Sequence, residues 1–181
     1  ATPEALYDGV SKIDWCQHLS ALDPFAVDAS VSNSAITHSQ YAALKTKDAI
    51  VDQFRAATGE RPSVETDKPN IQVNVYINND EVQIYLDLSG ESLHLRGYRT
   101  RGSAAPLKEN LAAAILYRAK WLDTFNAGGA LVDFMCGSGT LPIEAAMMAC
   151  DIAPGINRTY YGFLGWKQNH AAIWHRPLSE A

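Results

Sequence analysis

The sequence predicts an α+β domain followed by the opening of an α/β nucleotide-binding domain, and two element orders lead to this fold class. Up to about residue 98 the order is helix, strand, helix, strand, strand and a candidate short strand at SLHLRGY. After residue 99 a helix leads into a short apolar strand, a glycine loop and another helix. The second order is how an α/β nucleotide-binding domain begins. Residues 99–105 are small and basic, and are expected to form a linker or a site loop.

Apolar periodicity assigns the elements of the first part. The segments are a helix at 4–19, a strand at 24–33, a helix from a cap at Thr37 to about Thr58, and strands at 71–77 and 81–89. Gly59 is expected to end the second helix, because glycine readily adopts the left-handed conformation of a helix terminus. The turn sequence at 78–80 joins the last two strands into a hairpin. Helices laid on a largely antiparallel sheet are therefore expected.

The second part begins with Pro106, at the first-turn position that proline favours in a helix. This helix is expected to run through Trp121, and the sequence ALVDF at 130–134 is typical of a short buried strand. A glycine loop and a helix at 140–150 follow. One further short helix is predicted near residues 168–174.

Composition excludes several classes of protein. A net charge of -5 argues against a strongly basic nucleic-acid binder that ignores sequence, although a local basic patch is still possible. No apolar run approaches the roughly 20 residues that span a bilayer. The three cysteines, Cys16, Cys136 and Cys150, form no C-x-x-C pair, which is typical of reduced thiols in a cytoplasmic protein. The histidines and cysteines do not cluster at ligand spacing, so no metal site is expected.

The loop at 133–140, Asp-Phe-Met-Cys-Gly-Ser-Gly-Thr, carries the clearest chemical signal. A dinucleotide fingerprint starting at Gly137 would need glycine or alanine where Pro142 stands. A phosphate-binding P-loop would need a lysine after Gly139, and a nucleophile elbow would need glycine in place of Cys136. These three types of site are therefore disfavoured.

The string D-x-x-C-G-S-G-T, followed by I-E-A-A, resembles motif I of S-adenosylmethionine-dependent methyltransferases that act on amino groups. Phe134 replaces the usual proline of that motif, and Pro142 takes a place that is normally aliphatic. Pro142 lies in the first turn of the helix, where proline is tolerated.

The wider chain is similar to the family of bacterial THUMP-domain 23S rRNA (guanine-N2)-methyltransferases. The segments that carry this resemblance are HSQYAALKTKDAIVDQF, DKPNIQVNVYI, LDLSGESLHLRGYR, APLKENLAAAILYRAKW and APGINRTYYGFLGWKQNHAAIW. The resemblance implies an N-terminally truncated, RNA-binding THUMP-like domain at 1–98. It implies a C-terminally truncated Rossmann-like methyltransferase domain at 99–181.

The resemblance also implies a function, which is methylation of a guanine N2 amino group in 23S ribosomal RNA with S-adenosyl-L-methionine as cofactor. The implied cofactor-binding residues are Asp133, Cys136, Gly137, Ser138, Gly139, Thr140, Lys108 and Asn110. The family's Asn-Pro-Pro-Tyr-type motif, which holds the target amine, does not occur in this sequence. No catalytic residue is therefore assigned within the chain, and the chain alone is expected to be inactive and to bind the cofactor weakly.

Ribosomal RNA is the expected partner, and its contacts are expected to be electrostatic first. The candidates are Arg96, Arg99 and Arg101, together with Lys45 and Lys47 on the second helix. From residue 94 to Lys108 the chain carries a local charge of about +4 without an acid between. Two alternatives stay open, which are an amino-group methyltransferase acting on DNA or protein and a non-catalytic RNA-binding module.

Overall fold

A computed structural model of the chain describes residues 2–67, 69–99 and 107–170. The helices are α1 (Pro3–Ser11), α2 (Ser39–Thr58), α3 (Glu109–Arg118), α4 (Trp121–Asn126) and α5 (Thr140–Ala149). The strands are β1 (Phe25–Ser32), β2 (Ile71–Asn78) and β3 (Glu81–Asp87). Short 3₁₀ turns lie at Trp15–Gln17 and Gly162–Gly165. Arg101, Pro106 and most of the helix predicted near 168–174 lie outside the described residues.

These elements belong to two units, and each is described by itself. Unit 1 contains the described residues up to Gly90 together with those from Tyr160 onward. Unit 2 contains Glu91–Thr159. The domain limits 1–98 and 99–181 that the sequence suggested stay a prediction.

The sheet of unit 1 has the order β1-β2-β3. β2 and β3 form the predicted antiparallel hairpin, with Ile77 opposite Val82. β1 pairs with β2 in parallel, with Phe25 opposite Ile71, so the prediction of a largely antiparallel sheet is wrong for this pair. The reason is the long helix α2, which lies between the two strands in sequence and returns the chain to run in the same direction. The result is an α+β unit with a mixed sheet.

One face of this sheet packs on the helices. β2 buries every second residue, and these residues are Ile71, Val73, Val75 and Ile77. α2 buries residues at helical spacing, which are Ala42, Thr46, Ala49, Ile50, Val51 and Phe54. Gly59 ends α2 with φ 75°, as predicted. The predicted cap at Thr37 is wrong, because His38 precedes the first turn and its side chain caps no N–H group.

Residues 160–170 also belong to unit 1 and pack on its sheet edge and its first loop. The Tyr160 hydroxyl donates to the carbonyl of Asn70 at 2.7 Å, and the N–H of Phe163 donates to the carbonyl of Leu88 at 3.0 Å. The indole N–H of Trp166 donates to Nδ1 of His18 at 3.1 Å. Sequence periodicity did not indicate this segment, because its contacts join residues far apart in the chain.

Two glycines allow this close packing. A Cβ atom placed on Gly162 would lie 2.3 Å from the carbonyl oxygen of Asp87, and one placed on Gly165 would lie 2.2 Å from that of Asn70. Real Cβ atoms do not approach backbone oxygens so closely, so the two backbones can meet only where no side chain intervenes. Gly162 and Gly165 are therefore required by space.

Unit 2 is built on α3 and α5, which pack together through Ala112, Leu116 and Ala145. The helix predicted from Pro106 to Trp121 is interrupted, because α3 ends at Arg118 and Lys120 has φ 55° before α4 begins. No described helix of the chain is both long enough and apolar enough to cross a membrane.

The strand predicted at 130–134 is not formed. These residues have no strand conformation, and Val132 and Phe134 are 68% and 94% exposed. A β-strand is stable only when a neighbouring strand takes up its backbone hydrogen bonds, and the described part of unit 2 contains no other strand. The candidate strand at SLHLRGY is likewise absent, and Leu93 and Leu95 are exposed.

The contrast between two glycines provides a test of this packing. We expect Gly165→Ala to lower the free energy of unfolding of unit 1 by about 1–3 kcal/mol, because the methyl group must displace the backbone at Asn70. Gly9→Ala, on the exposed side of the last turn of α1 with no described atom within 4 Å of the new methyl group, should instead stabilise unit 1 by about 0.5–1 kcal/mol. Urea denaturation followed by tryptophan fluorescence measures both. Equal effects of the two variants would contradict the close approach at Gly165.

Candidate functional site

The glycine loop of unit 2 is a tight turn that leads directly into α5. Gly137 and Gly139 have φ 53° and 80°, which side chains disfavour. The N–H of Gly139 donates to the carbonyl of Cys136 at 2.7 Å and closes the turn. Gly139 is the residue before α5, and no side chain caps the helix. The amino end of α5 is therefore open, and helix amino ends attract anionic groups.

Asp133 lies at the start of this loop, half-buried. One carboxylate oxygen, Oδ1, accepts a hydrogen bond from the N–H of Met135 at 3.0 Å, which fixes the side chain in a local turn. The other oxygen has no hydrogen-bond partner among the described residues. Asp133 therefore presents an available anionic acceptor beside the turn.

The remaining loop residues differ in exposure. Cys136 and Ser138 are exposed, whereas Thr140 is only 4% exposed. The hydroxyl oxygens of Ser138 and Thr140 lie 3.4 Å apart. A Cβ atom on Gly137 would meet no atom of the described residues within 4 Å, so these residues leave room for a ligand beside the loop backbone. The loop is therefore accessible through its backbone and anchored at Thr140.

The amino end of α3 supplies the other two residues that the sequence suggested. Lys108 precedes the helix and is exposed, and Asn110 in the first turn is exposed as well. Between them Glu109 is buried, with 3% exposure. Glu109 stands between the two candidate residues at the start of this helix, and the sequence alone indicated no ion pair for it.

Arg96 lies inside unit 2 rather than on an open basic surface. Its Nε and Nη2 atoms donate to the two carboxylate oxygens of Glu144, each at 3.2 Å. The Arg96 and Glu144 side chains are 11% and 4% exposed. The Tyr98 hydroxyl donates to the same carboxylate at 3.0 Å. This pairing neutralises the charge for which Arg96 was considered an RNA contact.

Arg99 is paired in the same manner. Its Nε atom lies 3.0 Å from Oε1 of Glu109 in an ion pair whose side chains are 21% and 4% exposed. Its Nη2 atom donates to the carbonyl of Leu107 and, at 2.9 Å, to the hydroxyl of Thr140. The local charge of about +4 expected from the sequence is thus offset by two acids, Glu109 and Glu144.

The two lysines proposed for RNA contact lie on α2 in unit 1. Lys47 lines a cleft of about 340 Å³ between α2 and β1, together with Asp28 and Ser39. Its Nζ atom lies 2.8 Å from Oδ1 of Asp48. Lys45 is half-buried. Among the described residues, no group of three or more histidine, cysteine or acidic side chains has the arrangement of a metal site.

Comparison with known proteins identifies both parts of the chain. Residues 1–87 match the model of the THUMP domain, and residues 96–177 match that of the RMKL-like methyltransferase domain. This chain joins a THUMP domain to part of an RMKL-like methyltransferase domain. The resemblance drawn from the sequence is therefore confirmed at the level of the family.

Individual relatives agree with this assignment. The ribosomal RNA large subunit methyltransferase K/L of Methylococcus capsulatus is 55% identical over 181 residues, which are 100% of this chain and 24% of that protein. SMU.472, assigned as a methyltransferase and solved in complex with SAH, is 35% identical with a TM-score of 0.84. A predicted N6-adenine-specific DNA methylase from Listeria monocytogenes is 31% identical with a TM-score of 0.85. Both structural matches cover 99% of this chain and 46% of the other.

The chain thus spans about a quarter of the length of the curated relative, 24%. The part of the methyltransferase domain that the structure describes contains α3, α4, the glycine loop and α5. The pairing of Glu109 with Arg99 and of Glu144 with Arg96 is the site feature that the sequence did not predict.

The Tyr98 hydroxyl yields a pH-dependent test of the Glu144 cluster. Burial, and then the hydrogen bond to the Glu144 carboxylate, holds the pKa of Tyr98 well above its ordinary value of 10.0. The interactions that raise the pKa in the folded state stabilise the protein at pH values below the unfolded pKa of about 10. This stabilisation is lost as the pH rises further. We expect Tyr98→Phe to destabilise unit 2 by about 1.5–3 kcal/mol at pH 8, because a hydrogen bond to a charged group is lost.

The difference in free energy of unfolding between the native chain and Tyr98→Phe should become smaller as the pH is raised above 10. Denaturation at pH 8, 9, 10 and 11 measures it. Tyr117→Phe is the matched control, since Tyr117 lies 68% exposed on α3. A difference in stability that stays constant with pH would show that the pKa of Tyr98 is not raised in the folded protein.

Proposed function

We propose that the protein containing this chain transfers a methyl group from S-adenosyl-L-methionine to the N2 amino group of a guanine in 23S ribosomal RNA. The observation that carries the cofactor assignment is the loop of Gly137 and Gly139, which opens into the uncapped amino end of α5 beside Asp133. The names of two relatives support the reaction class, since one is a ribosomal RNA methyltransferase and another was solved with SAH.

The residues present fit the cofactor's amino acid end. Its ammonium group needs an anionic acceptor, and the second carboxylate oxygen of Asp133 is available for it. Its carboxylate suits the open amino end of α5, where N–H groups and the helix dipole both favour negative charge. The space beside Gly137 lets the cofactor approach the backbone. Lys108 and Asn110, exposed at the amino end of α3, are further candidates for contact with it.

The chemistry assigns this chain a binding and orienting role. When bound, the cofactor would supply a methyl group on a positively charged sulfur. Transfer to the amine would form a nitrogen–carbon bond as the carbon–sulfur bond of the cofactor breaks, with the amine proton released to solvent. Such a direct displacement depends mainly on holding the reactants in line. Asp133 and the loop would contribute by fixing one end of the cofactor.

RNA binding is assigned to the THUMP domain, where Lys45 and Lys47 lie on α2. Lys47 lines a cleft on this domain, and a lysine in such a position is suited to phosphate contacts. Arg96 and Arg99 are not assigned to RNA, because each is paired with a buried glutamate. Arg101 stays a candidate from the sequence.

Because the chain covers a quarter of its relative, activity is best tested in a full-length host. This host is the Methylococcus capsulatus relative in which the present sequence replaces the matching 181 residues. The 55% identity over that segment makes the exchange conservative. Residue numbers below refer to the present sequence.

Asp133→Asn tests the cofactor assignment. We expect the Kd of the full-length host for S-adenosylhomocysteine to rise about 10-fold or more, because a charge-assisted hydrogen bond is worth about 1.5–3 kcal/mol. Isothermal titration calorimetry measures the Kd, and Asp123→Asn, an exposed acid on α4, is the matched control. Equal binding by the native and Asp133→Asn proteins would remove Asp133 from the cofactor site. No binding by the native host would refute the cofactor assignment.

The substrate class is tested by methyl transfer to a 23S rRNA fragment and to duplex DNA of equal length. We expect transfer to the RNA, at a guanine amino group identified by mass spectrometry. Transfer to adenine in DNA instead would favour the activity named for the Listeria monocytogenes protein.

Lys47→Met should weaken RNA binding and lower the slope of log Kd against log salt by about 1, the change expected for one lost phosphate contact. Lys12→Met removes the same charge elsewhere in unit 1 and is the control. An unchanged salt slope in Lys47→Met would exclude this lysine from the RNA surface.

A further inference from the structure

One guanidinium group in unit 2 connects its own segment to two other stretches of chain. Arg99 contacts the Leu107 carbonyl, the Glu109 carboxylate at the start of α3, and the Thr140 hydroxyl at the start of α5. Thr140 is also the last residue of the glycine loop and is 4% exposed. Arg99 is thus the side chain through which the loop and the amino end of α3 are joined.

We propose that Arg99 is a positioning residue that holds the first turn of α5, and with it the glycine loop, against the amino end of α3. This inference rests on the proposed function in one respect, because the loop is the element assigned to the cofactor. Arg99 itself would touch neither cofactor nor RNA. Its effect passes through Thr140, whose hydroxyl it contacts at 2.9 Å.

The geometry requires arginine rather than lysine. Nε lies 3.0 Å from Oε1 of Glu109 in an ion pair without a hydrogen bond, while Nη2 donates to the Thr140 hydroxyl at 2.9 Å and to the Leu107 carbonyl. A planar guanidinium presents donors in several fixed directions, whereas a lysine ammonium is a point charge on a flexible stem. Lysine would keep the charge beside Glu109 but lose at least one of the other contacts. The substitution Arg99→Lys therefore separates positioning from charge neutralisation.

Arg96 provides a matched comparison within the same segment. It pairs with Glu144, which lies four residues after Thr140 and therefore on the same face of α5. Both pairs join an arginine to a buried carboxylate. Among the described residues, Arg96 makes no hydrogen bond to the glycine loop or to the first turn of α5, whereas Arg99 donates to Thr140. Disturbance of a buried ion pair by lysine should affect Arg96→Lys and Arg99→Lys alike, whereas loss of loop positioning should affect Arg99→Lys alone.

Amide hydrogen exchange measures loop positioning without any ligand. The N–H groups of Gly139 and Ile143 are bonded at 2.7 and 2.9 Å and report the turn and the first turn of α5. The N–H of Cys150, bonded to Ala146 at 3.0 Å, reports the opposite end of the helix. In the 181-residue chain we expect Arg99→Lys to speed exchange at Gly139 and Ile143 at least 10-fold and to leave Cys150 within twofold.

Arg96→Lys should not produce this local pattern. If Arg99→Lys speeds all three amides equally, or speeds none of them, Arg99 has no positioning role. The same conclusion follows if Arg96→Lys reproduces the local pattern in full, because a change in any buried ion pair would then be enough to loosen the loop.

Thr140→Val gives a second approach that leaves the Arg99–Glu109 pair in place. The side chains are nearly isosteric, and only the hydroxyl that accepts from Arg99 is removed. We expect the same local increase at Gly139 and Ile143, and the double variant with Arg99→Lys should exchange no faster than the faster single variant. Independent, multiplicative effects of the two substitutions would overturn the proposal.

Kinetics in the full-length host connects the positioning to function. Arg99→Lys should raise KM for S-adenosylmethionine about 10-fold with kcat within twofold, whereas Arg118→Lys, on the exposed end of α3, should change neither. Local loosening without a change in KM would also reject the inference. If the native host fails to bind S-adenosylhomocysteine, the proposed function fails, while the exchange measurements still decide the role of Arg99 on their own.

Discussion

Two buried carboxylates determine the arrangement of unit 2. Glu109 begins α3 and Glu144 lies in the middle of α5, and both are 3% exposed. A buried carboxylate is costly unless a positive partner accompanies it. Arg99 and Arg96 are those partners, and they come from one four-residue segment. The segment that precedes the methyltransferase helices is consequently fixed to both helices by charge.

The same arrangement gives the two ends of the glycine loop different properties. At Gly137 and Gly139 the backbone is exposed or half-exposed, with positive φ angles and no capping side chain. At Thr140 the loop is buried and hydrogen-bonded to Arg99. A ligand that binds such a loop meets hydrogen-bond donors that are already held in place. Less conformational entropy is therefore lost on binding. Open backbone groups beside a fixed anchor are the combination that a cofactor site requires.

Local sequence patterns predicted what depends on local interactions. The alternation of apolar residues predicted the hairpin of β2 and β3. Gly59 predicted the end of α2, and the glycine loop predicted the start of α5. The wrong predictions involve distant partners. The parallel pairing of β1 depends on where α2 returns the chain, and the strand at 130–134 needs neighbouring strands that the described part of unit 2 does not contain.

The arginines illustrate the same limit for the site. The basic stretch ends at Lys108, one residue before Glu109, which pairs with Arg99. Glu144, which pairs with Arg96, lies 48 residues beyond it in the chain. A charge count along the chain reports surface potential only if no acid folds onto the counted residues. Glu144 could have been suspected, because a single acid among the apolar residues of I-E-A-A on a buried helix needs a positive partner.

The segment 160–170 extends this reasoning from single residues to domain limits. It falls within the stretch that matches the methyltransferase family, yet its described residues pack in unit 1. Trp166 joins the hydrophobic core of that unit and bonds to His18, and the backbones at Gly165 and Asn70 approach too closely for any side chain. Family limits follow sequence similarity, whereas a folding unit follows buried contacts. The fold of unit 1 therefore depends in part on residues that sequence similarity assigns to its neighbour.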